Sequence, residues 1–415
     1  MIEPSIRGPP MEQVDLEFDP GITDEMRAIR DTCRRFAVDV LRPAGQRLDR
    51  LTAGQVIAPG SELWSVLDRY KALGFGGGAT VAAPDLTPAQ HALLHCMVLE
   101  ELTWGDIGLF ITCGLHGMMP KFAAGFGRTD LVEFYSQRDE IGCLAITEPS
   151  HGCDHVAYTE PAYRDPRIRG NLQVRRDGDD FVLSGQKAAW VSCGTIAGSA
   201  AVFGTYAGSP QGLADGAAFL LPLELPGITR GMPLEKHGQR PLNQGEIYFD
   251  EVRVPRRFLL AEGPQAYPLV WQGIFTAANL HMGTQFVGVA RAAYECALAY
   301  AKQWVQGGRP IIEHQLVRHR LYGMFQRVEV MRSHVRRMAI AHATRPGGLP
   351  YPQAASVKVF ATQTAFEVAS EAVQMLGGNG LTFEYPVEKL LRDARTSMIE
   401  DGENYMLGLI AAAHF

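Results

Sequence analysis

The sequence predicts an α+β protein in three parts. These are an all-helical N-terminal domain over residues 1–138, an antiparallel β-domain over 139–255, and a C-terminal bundle of the four-helix type over 256–415. Three observations predict it. Apolar residues recur at helical spacing through roughly the first third of the chain. From Gly142 they give way to short apolar runs parted by Gly and Pro, and beyond Gly263-Pro264 helical spacing returns. Strands and helices never alternate as a dinucleotide-binding βαβ fold requires. A chain of 415 residues is long enough to bury more than one core.

In the first part, Met26, Ile29, Cys33, Phe36 and Val40 form one stripe of a helix over Thr23–Leu41. Thr23 caps it, Asp24 and Glu25 suit its first turn, and Pro43 stops it. A second helix spans Leu63–Leu73. It runs into Gly74-Phe75-Gly76-Gly77-Gly78-Ala79, a relaxed dinucleotide fingerprint preceded by a helix where a strand is needed. That run reads as a loop. Thr87-Pro88-Ala89-Gln90 is a capping box opening a helix to Leu102. His91 and His95 stand one turn apart, as metal ligands can, with no third ligand in sight, and no metal is expected. Asp106–Phe126 is a further apolar segment, with Met118 and Met119 in the core.

In the second part, Leu172–Val174 and Phe181–Leu183 flank Asp177-Gly178, a hairpin signal. Gly142–Thr147, Ala200–Tyr206, Ala217–Leu223 and Glu246–Val254 read as further strands. In the third, Phe286, Val287, Ala290, Tyr294, Ala297 and Ala301 mark one long helix. Leu316, Leu321, Met324, Val328, Met331, Val335 and Met338 mark a second, and Ala354–Leu376 a third. Leu390, Leu391, Ala394 and Met398 give a last helix, which ends in Glu400-Asp401-Gly402-Glu403. Acids at the negative end of a helix dipole are unfavourable. They mark either a frayed terminus or a carboxylate held over a site.

A net charge of −6 gives no reason to expect a nucleic acid partner. Seven cysteines without a C-x-x-C pair argue against a disulfide framework, and Cys33, Cys96 and Cys296 belong to helical cores. The Pro-rich Met1–Pro10 lacks the blocks of a signal peptide, and no apolar run approaches the roughly 20 residues of a membrane span. A cytoplasmic enzyme is the expectation.

Gln374, Gly377, Gly378, Gly380, Glu384, Tyr385, Pro386, Glu388, Arg392, Asp393, Ala394 and Arg395 make a long run, Q-x-x-G-G-x-G then E-Y-P-x-E-x-x-x-R-D-A-R. This resembles the C-terminal signature of the acyl-CoA dehydrogenase family, which continues into a catalytic Glu-Gly. Here that position reads Asp401-Gly402. Ile146-Thr147-Glu148-Pro149 with Gly152, Cys153 and Asp154 is similar to the family's T-E-P-x-x-G-S-D segment, which wraps the flavin. Cys153 stands where the family has a Ser that touches the thioester arm. Trp190-Val191-Ser192 resembles W-I-T, implying that Trp190 covers one flavin face and Ser192 bonds near the reactive ring nitrogen. Glu235–Arg240 and Phe249–Pro255 resemble the linker K-x-G-x-R…F-x-x-V-x-V-P. His314 and Gln315 resemble a segment that contacts FAD across a subunit interface, where the family's upstream Arg and Phe become Trp304 and Gly307. Arg309 is a substitute candidate. The family's Asp and Arg that seat the pantetheine arm fall at Thr276 and Asn279.

The resemblance therefore implies FAD-dependent α,β-dehydrogenation of a saturated acyl-CoA to the trans-2-enoyl-CoA. Asp401 is the α-proton base, and the flavin takes the hydride. Glu400 and Glu403 are rivals for the base. Ile146, Thr147, Gly152, Cys153, Trp190, Val191, Ser192, His314, Gln315, Gln374, Gly377, Gly378 and Glu403 are the implied cofactor residues, and Cys153, Thr276, Asn279 and Gly402 the implied substrate residues. The implied partners are an electron-transfer flavoprotein or another acceptor, and copies of the same chain in a homotetramer or homodimer. Asp is one methylene shorter than Glu, and the Asp variant in the family points to a cyclic or branched acyl group. Tyr158, Arg164, Arg167 and Arg169 lie in a segment longer than the family's, read as a solvated loop or as a clamp for CoA or carrier phosphates. The departures at Thr276 and Asn279 leave two alternatives on the same fold: a flavin monooxygenase or oxidase, and an acyl-carrier-protein dehydrogenase.

Overall fold

A computed structural model of the chain describes residues 19–75, 81 and 83–415. The Pro-rich start and most of the Gly74–Ala79 run lie outside them. Helix α1 (Asp24–Phe36) is capped by Thr23, whose hydroxyl accepts from the Met26 N–H at 3.2 Å. Pro43 does not end it. A π turn, Ala37–Leu41, leads directly into α2 (Arg42–Leu48), and Pro43 sits in the first turn of α2, where no N–H is missed. Short helices α3 (Ala53–Ile57) and α4 (Glu62–Lys71) follow. The capping box at Thr87 opens α5 (Pro88–Gly105), with Gln90 Oε1 accepting from Thr87 N–H at 3.0 Å. The single apolar segment read over Asp106–Phe126 is two helices, α6 (Ile107–Gly114) and α7 (Met118–Gly125), parted by a left-handed Gly117. Met119 is core, whereas Met118 is half-buried. Helix α8 (Thr129–Ser136) completes this part.

The sheet has eight strands: β1 (Gly142–Ala145), β2 (Gln173–Asp177), β3 (Asp180–Ser192), β4 (Ser199–Tyr206), β5 (Gly216–Pro222), β6 (Ile228–Arg230), β7 (Gln244–Val254) and β8 (Leu259–Glu262). Their order is β6-β7-β3-β2-β4-β5-β8, with β1 beside β4. Most ladders are antiparallel, but β1 and β2 both run parallel to β4, so the sheet is mixed. Strands β6 and β8 were not legible: β6 is three residues long, and β8 shows no alternation of burial. The β2–β3 hairpin forms where the sequence signals it, turning at a left-handed Gly178.

Helix α9 (Gly263–Gln303) has 41 residues. It packs against α5, and against α10 (Gln315–Thr344) and α11 (Tyr351–Leu376). A two-strand hairpin, β9 (Val305–Gln306) and β10 (Arg309–Pro310), separates α9 from α10 and turns through left-handed Gly307 and Gly308. Leu316, assigned to the buried stripe of α10, is 67% exposed because it lies in the first turn, before the helix enters the core. Helices α12 (Val387–Ser397) and α13 (Asn404–Ala412) close the chain. The family-like run on α12 has a structural use. Arg392 bonds Asp49 at 2.6 Å and Glu388 at 2.8 Å, and Lys389 bonds Asp106 at 2.7 Å and Asp393 at 2.6 Å, tying α12 to the N-terminal helices.

Candidate active site

Between α12 and α13 the chain makes a tight turn over Glu400–Asn404. Asp401 (φ +51°) and Gly402 (φ +95°) are both left-handed, so an ordinary L-residue is strained at the first. A Cβ on Gly402 would lie 2.5 Å from Leu407 Cδ2, so that position requires glycine. Separate elements hold the turn. Gln239 Nε2 donates to Glu400 Oε1 at 2.5 Å, and Asn279 Nδ2 on α9 donates to the Asp401 carbonyl at 3.2 Å. Lys358 Nζ on α11 donates to the Gly402 carbonyl at 2.7 Å and to Asn404 Oδ1 at 2.8 Å. Glu403 is fixed by its own helix, accepting from the Tyr405 and Met406 N–H groups as the N-cap of α13. Its carboxylate is thereby committed as a cap, which counts against it as a rival base.

Asp401 is hemmed in by protein yet keeps exposed surface. Burial pushes its carboxyl above the usual carboxylate range, and the Lys358 ammonium opposes that rise. Glu400 is pushed up to about 7, first by burial and then by the neighbouring Asp401 charge, against the Gln239 hydrogen bond and the two lysines Lys236 and Lys358.

A second constellation lies on the sheet. Thr147–Gly152, Gln186, Ala188–Trp190 and Glu246 line a cavity of about 400 Å³. The β3–β7 register slips between Lys187 and Val191, so Ala188–Trp190 bulge out of the ladder. The Ala188 N–H bonds the Thr147 carbonyl at 2.8 Å instead. The bulge leaves the Trp190 indole 59% exposed at the cavity rim. Val191 returns to the core, and Ser192 accepts from Gln244 Nε2 at 3.2 Å. The Ile146–Glu148 segment is pinned from below. Buried Lys187 donates to the Ile146 carbonyl at 2.9 Å and to Glu148 at 2.6 Å, with both partners of the ion pair fully buried. The Gly152 N–H donates to Asp154 Oδ1 at 2.8 Å. Cys153 is half-buried and lies near Lys358.

The first turns of α9 border a further cavity, of about 530 Å³, lined by Tyr158, Arg164, Gln211, Pro264, Pro268 and Gln272 among others. Of the four residues considered for a clamp, only Tyr158 and Arg164 reach it. Arg167 pairs with Asp165 at 2.6 Å and stays 88% exposed, and the Arg169 carbonyl bonds His151 at 2.7 Å. Thr276 directs its hydroxyl to the Gln272 carbonyl of its own helix, at 2.8 Å. His95 stacks on His281 of α9, with ring nitrogens 3.4 Å apart. No group of metal-ligating side chains occurs among the described residues.

The remaining residues of interest form a separate set. His314 and Gln315 open α10, and His314 bonds the Gln306 carbonyl at 3.0 Å and lies 3.4 Å from Arg309 Nη2. Gln374, Gly377 and Gly378 are exposed at the far end of α11, next to Asn379, which bonds Tyr300 at 2.9 Å. Trp304 stacks on Tyr300 there, with centroids 5.3 Å apart. From Lys358 to Gln374 along α11 is about 24 Å at 1.5 Å per residue. One chain therefore keeps Gln374, Gly377 and Gly378 well apart from the Asp401 turn that Lys358 holds.

Comparison with known proteins decides the family. Residues 270–415 match the model of the acyl-CoA dehydrogenase C-terminal domain, and residues 143–252 that of the middle domain. The chain belongs to the acyl-CoA dehydrogenase family. It is an oxidoreductase of that family. Benzylmalonyl-CoA dehydrogenase of Aromatoleum aromaticum is 30% identical over 405 residues, covering 96% of this chain and 99% of that protein. The short-chain specific acyl-CoA dehydrogenase of Rattus norvegicus is 27% identical, covering 93% and 89%. Among solved structures, butyryl-CoA dehydrogenase from Megasphaera elsdenii superposes with a TM-score of 0.80 at 24% identity, covering 95% and 99%. A glutaryl-CoA dehydrogenase from Mycobacterium smegmatis gives 0.76 at 25%, covering 96% of each.

Two residues of the Asp401 turn were not found from the sequence. Gln239 lies in a stretch read as fold signature. Lys358 lies on the buried face of α11; a lysine among Ala354, Val357, Ala361 and Ala365 must be buried, and a buried cation needs a partner. That was the available signal.

Proposed function

We propose that this chain catalyses the α,β-dehydrogenation of a saturated acyl-CoA thioester, with FAD as cofactor and Asp401 as the base. One observation carries the reading. The turn that presents Asp401 is tied to the β6–β7 segment, to α9 and to α11 at once, and burial pushes its carboxyl above the usual carboxylate range, the direction that makes a carboxylate a better base. The cavity beside Trp190 fits a flat aromatic group. It has an exposed indole at its rim, the Thr147 and Ser192 segments beside it, and nothing within 4 Å of where a Gly152 Cβ would stand. When bound there, FAD supplies the acceptor for the hydride leaving the β carbon.

Asp401 takes the α proton onto its carboxylate. Its main-chain N–H, which has no acceptor among the described residues, donates to the thioester carbonyl where negative charge develops. Along α9, Gln272 lines the larger cavity and Asn279 touches Asp401, about 10 Å further at 1.5 Å per residue. That order lays the carrier end of the substrate by Tyr158 and Arg164 and the thioester by Asp401. The separation of Gln374, Gly377 and Gly378 from the Asp401 turn supports a cofactor site completed by a second copy. Leu316, Tyr322, Leu381 and Phe383, each at least 60% exposed, are apolar surface for such a homotetramer or homodimer.

An anaerobic titration of the flavin-loaded protein with linear, branched and cyclic saturated acyl-CoAs tests the reading. Loss of the flavin absorbance with one class is the expected result. An unchanged spectrum with all of them, and with the matching carrier-protein thioesters, would refute it.

A further inference from the structure

We infer that Lys358 is a positioning residue for this reaction: its ammonium fixes the Glu400–Asn404 turn in the conformation that presents Asp401, and it is the nearest cation to that carboxylate. The inference rests on Asp401 being the base. Lys358 is fully buried on α11, beside Ala354, Val357, Ala361 and Ala365. Burying an ammonium there is unfavourable unless acceptors meet it. Two do, one on each side of Glu403: the Gly402 carbonyl at 2.7 Å and Asn404 Oδ1 at 2.8 Å. Asn404 is itself held, since its Nδ2 donates to Thr362 Oγ1 at 3.1 Å, one helical turn beyond Lys358.

The bonds bear on conformation. Asp401 and Gly402 are left-handed in succession, and a turn of this kind persists only where its surroundings over-determine it. Lys358 grips the carbonyl immediately after Asp401, and Asn279 grips that of Asp401 itself. The charged and titratable groups facing the turn are few. Lys358 comes from α11, Glu400 and Glu403 from the turn itself, Lys236 from the β6–β7 segment and Cys153 from the loop after β1. Helix α9 contributes the neutral Asn279. Burial and these acids act on Lys358 in opposite directions, and burial prevails, leaving it near 8. The ammonium is therefore mostly charged at neutral pH and loses its proton in mild alkali.

Lys358→Met keeps the aliphatic stem and removes the charge. The expected result is kcat lowered by about 10²-fold with KM little changed, because the base is misplaced while the carrier cavity is intact. The acid limb of the kcat/KM profile moves up by about one pH unit, because Asp401 has lost its stabilising cation. A merely structural lysine would lower the yield of folded protein without moving that limb. Lys358→Arg keeps the charge but fits the two acceptors poorly, so the limb stays and kcat drops. Asp401→Asn is the control. An inactive Asp401→Asn beside a Lys358→Met enzyme of wild-type rate and unmoved limb overturns the role of Lys358. An active Asp401→Asn overturns the base assignment instead. Should Lys358→Met not accumulate folded, a Lys358→Arg enzyme with wild-type kcat overturns the inference.

Discussion

Two pairs of acids in this molecule, Glu100 with Glu101 and Glu400 with Asp401, are compensated in opposite ways. Glu100 on α5 lies under three arginines: Arg291 at 2.8 Å, Arg332 at 2.8 Å and Arg336 at 3.3 Å. Burial works against its ionisation, but Arg332, Arg291 and Arg336 together hold it well below the usual carboxylate range. Glu101 beside it takes Arg291 at 2.5 Å and Arg34 at 3.5 Å. Lys236 and Lys358 act on Glu400, and Lys358 on Asp401, but burial prevails, so both carboxyls are pushed up. The residue type is the same in both places. The ratio of cations to acids decides whether a buried carboxylate is a fixed strut or a proton acceptor poised near neutrality.

Changes at each cluster sharpen the contrast. Glu100→Ala leaves buried arginines without their counter-charge and is expected to destabilise the fold by about 3–5 kcal/mol, read as a fall in Tm. The flavin-normalised turnover of the folded fraction stays near wild type. If turnover instead falls as far as stability, the two clusters are not separable. Gly402→Ala forces a Cβ to 2.5 Å from Leu407 in a left-handed position and is expected to cost about 1–3 kcal/mol. Here the rate should suffer more than the Tm, the reverse of Glu100→Ala.

Glu400→Gln gives the smallest effect, and it depends on pH. The folded state holds the Glu400 proton up to about pH 7, above the ordinary glutamate value of 4.5, so the unfolded chain releases it first. Stability attributed to this group is therefore present below the unfolded value and is lost as pH rises through the folded one. The Tm of Glu400→Gln relative to wild type should rise from pH 5 to pH 8. A constant difference would mean that Glu400 is not held protonated in the fold.

What the sequence made legible differs between the same regions. The helices, the hairpin at Gly178 and the family run on α12 could be read because each rests on local chemistry: spacing, a cap, a turn residue. Asp401 could be named only through the pattern it interrupts. Lys358 and Gln239 could not, because their meaning comes from contacts between distant segments; Gln239 reaches Glu400 across 161 residues of chain. Pro43 misled for a related reason. A proline ends a helix unless the preceding backbone changes its winding, and here the π turn before it does so. The Gly152 N–H shows the same limit, since which group bonds it depends on the fold of its own loop.

The central claim is that Asp401, and not Glu400, removes the α proton. The most direct measurement follows hydrogen exchange at the α carbon of a saturated acyl-CoA in D₂O with the enzyme's flavin already reduced, so that hydride loss is blocked and only the proton moves. The account predicts deuterium uptake with wild type and Glu400→Gln, and a fall of at least about 10²-fold with Asp401→Asn. Uptake undiminished in Asp401→Asn, or lost in Glu400→Gln alone, would contradict it.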